Sequence, residues 1–137
     1  MKPTPKDIVR DFYSSDILKD LSLIEKFFHP DFSMIWTGSS GNSYMNFKEL
    51  QDFYKEIQKS YLDLQIEISH LLQDDDHVTI RYKYTANTIE NPDEDLEIAY
   101  FMAIWEIKDG KIFKGYQISQ PVQESAKSNS HSRSVGI

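Results

Sequence analysis

The chain has 137 residues, enough for one domain with a substantial core and too few for two. Its 39% apolar and 13% aromatic residues exclude disorder of the whole chain. The net charge of -7 and the scattered basic residues argue against a nucleic-acid partner, because affinity for phosphates comes from clustered Lys and Arg. The absence of cysteine excludes disulfides, thiolate nucleophiles and thiolate metal sites.

The sequence also argues against a membrane partner. No apolar run approaches the roughly 20 residues that cross a bilayer. The first residues lack the apolar stretch of a signal peptide. We therefore expect a soluble, cytoplasmic protein.

Two short helices are predicted near the N-terminus. The first begins after Thr4, a helix cap, with Pro5 at the first helical position, and ends near residues 14–15. The second runs from about Asp20 and is stopped by Pro30, because the residue before a proline disfavours helical backbone.

A strand and a third helix follow. Phe32, Met34 and Trp36 share one face of the predicted strand. Residues 38–42 form a predicted loop, in which the serines are read as part of a flexible turn and not as nucleophiles. Asn46 is the expected cap of the third helix, which carries a long apolar stripe.

From residue 61 onward the apolar residues recur with a period of two, which predicts strands. These strands cover about 64–72, 78–85 and 96–105, and Asp109–Gly110 forms the turn of a last hairpin. Together the elements predict an α+β domain over residues 1–122, with three helices packed on one side of an antiparallel sheet. Residues 123–137 are predicted to be a polar C-terminal tail.

The strand from Leu96 to Trp105 is apolar on both faces. Its alternating side chains are Leu96, Ile98, Tyr100, Met102 and Ile104 on one face, and Ala99, Phe101, Ala103 and Trp105 on the other. Helices of the same chain can cover only one face of a sheet. The other face must therefore meet a partner subunit or line a cavity that a ligand fills.

Three phrases, in residues 24–32, 46–54 and 105–112, resemble the nuclear transport factor 2-like superfamily and its SnoaL-like branch. The resemblance covers about residues 5–121. It implies a cystatin-like cone, in which a curved sheet encloses an apolar pocket against the helices, and a homodimer through the outer sheet face. The superfamily includes isomerases, cyclases, dehydratases, epoxide hydrolases and non-catalytic modules, so the resemblance does not fix an activity.

The ketosteroid isomerases of that superfamily provide one specific comparison. The resemblance places their catalytic base at Trp36 and their oxyanion-binding acid at Met102, and neither residue can transfer the required proton. Their oxyanion tyrosine falls at Phe12, next to Tyr13, and its supporting tyrosine falls at Tyr54. The resemblance therefore argues against this isomerase activity.

Metal and cofactor sites are not expected. The four histidines, His29, His70, His77 and His131, lack the paired spacing of metal ligands. The acidic run Asp74–Asp76 is interpreted as a solvated turn and not as a metal site. We predict no metal and no cofactor.

His70 is the candidate catalytic base. It has the same strand parity as Ile66 and Ile68, so we expect it to point into the pocket, where an imidazole could act as a base near neutral pH. The alternative is a histidine at the sheet edge, hydrogen-bonded to backbone or water. Tyr13 and Tyr54 are the candidate hydrogen-bond donors for catalysis, with Tyr100 as a further possibility.

The other candidates combine apolar surface with a few polar groups, as a small-molecule pocket requires. Core packing is the alternative for each of them. The predicted ligand-binding residues are Phe12, Trp36, Tyr82, Tyr84, Tyr100, Met102 and Gln117.

Two functions follow from these observations. The first is binding of a small, largely apolar molecule, with isomerase, cyclase or dehydratase chemistry if the protein is an enzyme. The second is a non-catalytic dimerisation or interaction module with a filled cavity. An internal void of a few hundred Å³ would favour the first. The predicted homodimer uses an outer face that includes Phe101 and Trp105.

Overall fold

A computed structural model describes residues 2–122, so the predicted tail from Gln123 lies outside the described residues. The elements are α1 (Pro5–Tyr13), α2 (Leu23–Phe27), β1 (Phe28–Gly38), β2 (Gly41–Asn46), α3 (Phe47–Ser60), β3 (Tyr61–Asp74), β4 (His77–Thr88), β5 (Leu96–Lys108) and β6 (Lys111–Pro121). Helices α1 and α3 begin with the predicted caps. In each helix, the cap side chain accepts a hydrogen bond from the backbone N–H three residues later. The acidic side chain of that later residue, Asp7 or Glu49, accepts a hydrogen bond from the backbone N–H of the cap residue.

The strands form one six-stranded sheet in the order β2-β1-β6-β5-β4-β3. The α+β architecture is as predicted, with the helices packed on one face of the sheet. The sheet is not wholly antiparallel, since β1 and β6 pair in parallel. No tight turn joins these two strands, so chain connectivity does not force them to run in opposite directions.

Two local predictions were wrong. The second helix spans only Leu23–Phe27, and Pro30 lies inside β1. It is tolerated there because pairing with β6 is interrupted between Phe28 and Ser33, so the missing N–H costs no ladder bond. The predicted loop is a tight turn that leads into β2, and Gly41 provides its positive φ of 106°.

The faces of β5 are also the reverse of the prediction. Phe101 and Trp105 are buried in the core, not on the outer face. They lie opposite Tyr82 and Val78 of β4, whose apolar side chains also point inward. The outward residues of β5 instead lie opposite the polar residues of β4, from Thr79 to Lys83.

Candidate ligand-binding site

A cavity lies between the helices and the inner face of the sheet. It has a volume of about 50 Å³ and is lined by aromatic and aliphatic side chains with a few polar groups. Its lining residues are Phe12, Tyr13, Phe28, Met34, Trp36, Leu50, Phe53, Tyr54, Ile57, Tyr61, Leu64, Tyr82, Tyr84, Ile98, Phe101, Trp105 and Gln117. Phe53, Leu64, Tyr84 and Ile98 are only partly buried, and they mark the side on which the cavity approaches the surface.

Most of the predicted site residues meet in this cavity. The structure brings together Phe12, Tyr13, Trp36, Tyr54, Tyr82, Tyr84 and Gln117. They come from α1, α3 and three different strands. Their side chains are placed on a shared surface by the period of each element. The strand pattern indicated Tyr82 and Tyr84, whereas Phe12, Trp36 and Tyr54 were named through the family resemblance.

His70 lies outside this cavity, and its predicted orientation was wrong. The register of β3 against β4 shifts between Ile68 and His70, so Ser69 is an additional residue that reverses the alternation. Leu71 then packs towards the core, while His70 is exposed and its Nδ1 lies 3.0 Å from the Ser69 Oγ. The alternative of a histidine at the sheet edge fits its position, because β3 is an edge strand, but its partner is the Ser69 hydroxyl and not backbone or water.

Tyr100 and Met102 also lie outside the cavity. They are 45% and 48% exposed on the outer face of β5. The Tyr100 ring lies under the charged groups of Arg81 and Lys83, whose distances to the ring centroid are 5.8 and 5.9 Å. Both predictions failed because the inner and outer faces of this strand were exchanged.

Trp105 lines the cavity, but the sequence-based prediction placed it on the outer face of the sheet. A signal was present in β4, where Val78, Ile80 and Tyr82 alternate with polar residues. Pairing those apolar residues with Trp105, Ala103 and Phe101 would have assigned the inner face of β5. The long connection between the two strands gives no turn from which that register could be derived.

A chain of hydrogen bonds crosses one end of the cavity. The hydroxyls of Tyr13 and Tyr82 are 3.0 Å apart, and the Tyr82 hydroxyl donates to the Gln117 Oε1 at 3.1 Å. The Tyr82 ring also stacks on Phe101, with centroids 5.0 Å apart. These contacts hold the polar groups in place within an otherwise apolar wall.

The two indoles of the cavity wall differ in their hydrogen bonding. Trp36 donates from its Nε1 to the Ser119 Oγ at 2.8 Å, within the buried interior. The Nε1 of Trp105 is also buried but has no hydrogen-bond partner. Trp105 packs against Gly115, the residue opposite it on β6, where an added Cβ would lie 2.1 Å from the indole Cζ3.

The buried tyrosines are held in their neutral form. Burial raises the pKa of Tyr54 to about 12, and an interaction with the Tyr84 phenol opposes that rise. Burial also raises the pKa values of Tyr13, Tyr82 and Tyr84 well above the ordinary value. At neutral pH these phenols can donate or accept hydrogen bonds, but they cannot act as phenolate bases.

The cavity wall contains no residue that is charged at neutral pH, within the described part of the chain. The family resemblance implied that Trp36 takes the place of the isomerase base, and Trp36 lines the wall. It also implied that Met102 takes the place of the isomerase acid, but Met102 points outward, so this placement was wrong; the buried neighbours Phe101 and Ala103 lack a carboxyl group as well. Thus the wall presents hydrogen-bond donors and acceptors but no group suited to abstract a proton at neutral pH.

Two further features concern residues 2–122. Over this range, no cluster of three or more His, Asp or Glu side chains could hold a metal ion. In the same range no helix combines the length and the apolar character that crossing a bilayer requires.

Helices packed into a six-stranded sheet around an internal aromatic cavity define a class of cone-shaped α+β proteins. The sequence model of the SnoaL-like domain matches residues 9–114. The chain therefore belongs to the SnoaL-like family. No curated protein matches the sequence significantly.

Solved structures of similar fold include wild-type IdmH from Streptomyces antibioticus, which has been proposed to be a polyketide cyclase. It has a TM-score of 0.68 and 17% identity, over 84% of this chain and 91% of that one. An LEH-like epoxide hydrolase from M. tuberculosis has a TM-score of 0.65 and 11% identity, over 84% and 81%. A hypothetical protein with a ketosteroid isomerase-like fold from Catenulispora acidiphila, in complex with trimethylamine, has a TM-score of 0.62 and 13% identity, over 85% of each chain.

Proposed function

We propose that this protein binds a small, neutral, largely apolar molecule in the cavity on the inner face of its sheet. The observation that carries the proposal is the convergence of Tyr13, Tyr82 and Gln117 at one end of an aromatic wall. Buried hydrogen-bonded polar groups add only modestly to stability, and apolar residues of the same shape can replace such a pair at little cost. A few fixed polar groups in an apolar cavity are typical of a ligand site.

The cavity volume limits the size of this ligand. About 50 Å³ falls short of the void of a few hundred Å³ that would favour a small-molecule pocket over a filled module, so the volume alone favours the filled module and leaves room only for a small ligand. The site therefore suits a compact ligand, or one end of a ligand that enters past Phe53, Leu64 and Ile98. The trimethylamine bound by the Catenulispora protein of similar fold is comparably compact, although as an amine it carries a positive charge at neutral pH.

Binding is a better-supported function than acid–base catalysis. The predicted base, His70, is exposed on the other side of the sheet. The phenols that line the cavity are neutral at physiological pH, so they suit orientation of a ligand and not proton abstraction. The isomerase, cyclase or dehydratase activity therefore has no assigned base in the described residues.

A substitution that fills the cavity tests the proposal. Leu50→Phe places additional volume in the cavity wall, and Leu62→Phe makes the same change at a side chain that is 53% exposed. Calorimetric titration with toluene and with cyclohexanone should give binding in the wild type and in Leu62→Phe. We expect Leu50→Phe to lower the affinity by about tenfold or more, because the new ring occupies the ligand's space.

Thermal unfolding of both variants checks that each has folded. The proposal would be contradicted if neither compound bound to the wild type. Equal affinities of the folded Leu50→Phe variant and the wild type would also contradict it.

A homodimer is the second candidate function, and the outer face of the sheet favours it. An apolar outer patch covers β5 and β6, and its members are Tyr100, Met102, Ile104, Tyr116 and Ile118, which are 42–63% exposed. Cross-strand pairing of Ile104 with Tyr116 and of Met102 with Ile118 makes this patch continuous. A groove of about 390 Å³ adjoins it and includes Ile35, Tyr44 and Tyr116.

The proposed occupant of the outer patch is a second copy of the chain. A two-fold interface places the same patch on both partners, so an apolar surface meets an apolar surface. Monomeric proteins rarely leave large continuous apolar patches in water. The small cavity and this outer patch together also support the non-catalytic dimerisation module. Location in the cytoplasm stays a prediction, which cell fractionation can test.

A further inference from the structure

The two tryptophans of the cavity wall differ in whether the indole N–H has a hydrogen-bond partner. The Trp36 N–H is satisfied by the Ser119 hydroxyl. The Trp105 N–H is buried, and over residues 2–122 it is the only buried side-chain nitrogen or oxygen without a partner. Buried donors are almost always paired, so an unpaired one in a ligand cavity requires an explanation.

Packing explains why a large aromatic ring lies at position 105, but it does not explain why that ring carries an N–H group. The ring lies against Gly115 and forms aromatic contacts with Phe28 and Phe32, at centroid distances of 6.4 and 6.2 Å. A ring without a polar atom could make the same contacts. An unpaired N–H only adds the cost of removing a donor from water.

The neighbouring hydrogen bonds already use the available hydroxyl protons. Because the Gln117 Oε1 can only accept, the Tyr82 hydroxyl donates to it. The bond between Tyr82 and Tyr13 must then be donated by Tyr13. Neither hydroxyl therefore has a proton left for a ligand, and the donors that remain at this end of the cavity are the Trp105 N–H and the Gln117 side-chain amide.

The Trp105 N–H lies beside the Tyr13 phenol without reaching hydrogen-bond geometry. Its proximity opposes the rise in the pKa of Tyr13 that burial causes. Both rings line the cavity wall, so this donor lies near the end of the cavity where the polar groups converge.

We propose that the Trp105 N–H donates a hydrogen bond to a carbonyl oxygen of the ligand, so that the ligand is a small, neutral ketone or aldehyde with an apolar body. This inference rests on the proposed ligand-binding function. A carbonyl oxygen accepts without bringing a proton that needs its own acceptor. A carboxylate is disfavoured, because no cation lines the described cavity wall to balance its charge.

The test compares cyclohexanone with methylenecyclohexane, which has the same shape but a CH₂ group in place of the carbonyl oxygen. Proton–nitrogen NMR of the wild-type protein resolves the two indole N–H groups, and Trp36→Phe assigns them. Cyclohexanone should move the Trp105 indole proton downfield and leave the Trp36 signal nearly unchanged. Methylenecyclohexane should bind without this downfield shift.

Affinity measurements with two matched variants provide a second readout. We expect Trp105→Phe to weaken cyclohexanone binding about tenfold more than methylenecyclohexane binding, the effect of losing one hydrogen bond. Trp36→Phe should weaken both compounds by a similar factor, because its N–H is already bonded to Ser119. If Trp105→Phe does not fold, the NMR experiment on the wild type decides alone.

The outcomes separate this inference from the proposed function. If both compounds bind but the Trp105 indole proton does not move downfield with cyclohexanone, the hydrogen bond is disproved and the ligand site stands. Equal losses for both compounds in a folded Trp105→Phe variant would disprove it in the same way. If neither compound binds to the wild type, the ligand site itself fails, and this inference fails with it.

Discussion

The inner and outer faces of β5 are both apolar, yet they meet different surroundings. Inner residues such as Phe101 and Trp105 are buried among rings from α1, β1 and β4. Outer residues such as Tyr100 and Met102 remain close to half exposed beside the cations of β4. The comparison teaches that apolar alternation identifies a strand with two apolar faces, each of which needs to be covered. It does not show which of the two faces belongs to the core.

The largest expected effect lies on the inner face, at Gly115. Gly115→Ala should lower the free energy of unfolding by about 1–3 kcal/mol, because its Cβ would overlap the Trp105 indole and force the ring to move. Denaturant unfolding measures this loss. Lys114→Ala changes the exposed neighbour and should stay within about 0.5 kcal/mol of the wild type. Equal stability of both variants would show that the indole packing is not tight.

Alkaline pH should destabilise the protein through the buried tyrosines. Their pKa values are raised on folding, so above about pH 10 the unfolded chain loses phenol protons that the folded chain retains. The free energy of unfolding should then fall with rising pH, by about 1.4 kcal/mol per pH unit for each such tyrosine. Below pH 10 this contribution is fully present.

A pair of variants isolates this effect. Tyr54→Phe should reduce the slope of stability against pH between about 10 and 12, because the pKa of Tyr54 is raised to about 12. Tyr44→Phe, at a side chain that is 70% exposed, should leave the slope unchanged. Denaturant unfolding at a series of pH values gives both slopes. An unaltered slope in Tyr54→Phe would contradict the burial of its hydroxyl.

The smallest effect on folding is expected on the outer face, where the readout is association. Met102→Glu should give monomers in sedimentation velocity and keep the folding free energy within about 0.5 kcal/mol, because the side chain is already exposed. Ile89→Glu introduces the same charge at another exposed residue outside the outer patch and should remain dimeric. A wild type that sediments as a monomer would contradict the proposed interface.

Local signals made much of the fold predictable. The caps at Thr4 and Asn46 define two helix starts, and the Asp109–Gly110 turn has the positive φ values that a tight hairpin needs. The shared cavity of Tyr13, Tyr54 and Tyr82 follows from helical and strand periods combined with the family resemblance.

The remaining features depend on long-range pairing, which the sequence alone does not encode visibly. One additional residue at Ser69 turns His70 outward, and no turn or glycine marks this bulge. The parallel pairing of β1 with β6 brings together residues far apart in the chain. The prediction exchanged the inner and outer faces of β5 for the same reason. The register of β5 against β4 is set across a long connection and cannot be derived from a local turn.

NMR of the methionine methyl groups tests the division between the two faces most directly. Met34 lies in the cavity wall, and Met102 lies in the outer patch. Cyclohexanone should shift the Met34 methyl signal and leave that of Met102 unchanged, while dilution of the protein should shift Met102. A ligand that moves Met102 but not Met34 would contradict the assignment of ligand binding to the inner face.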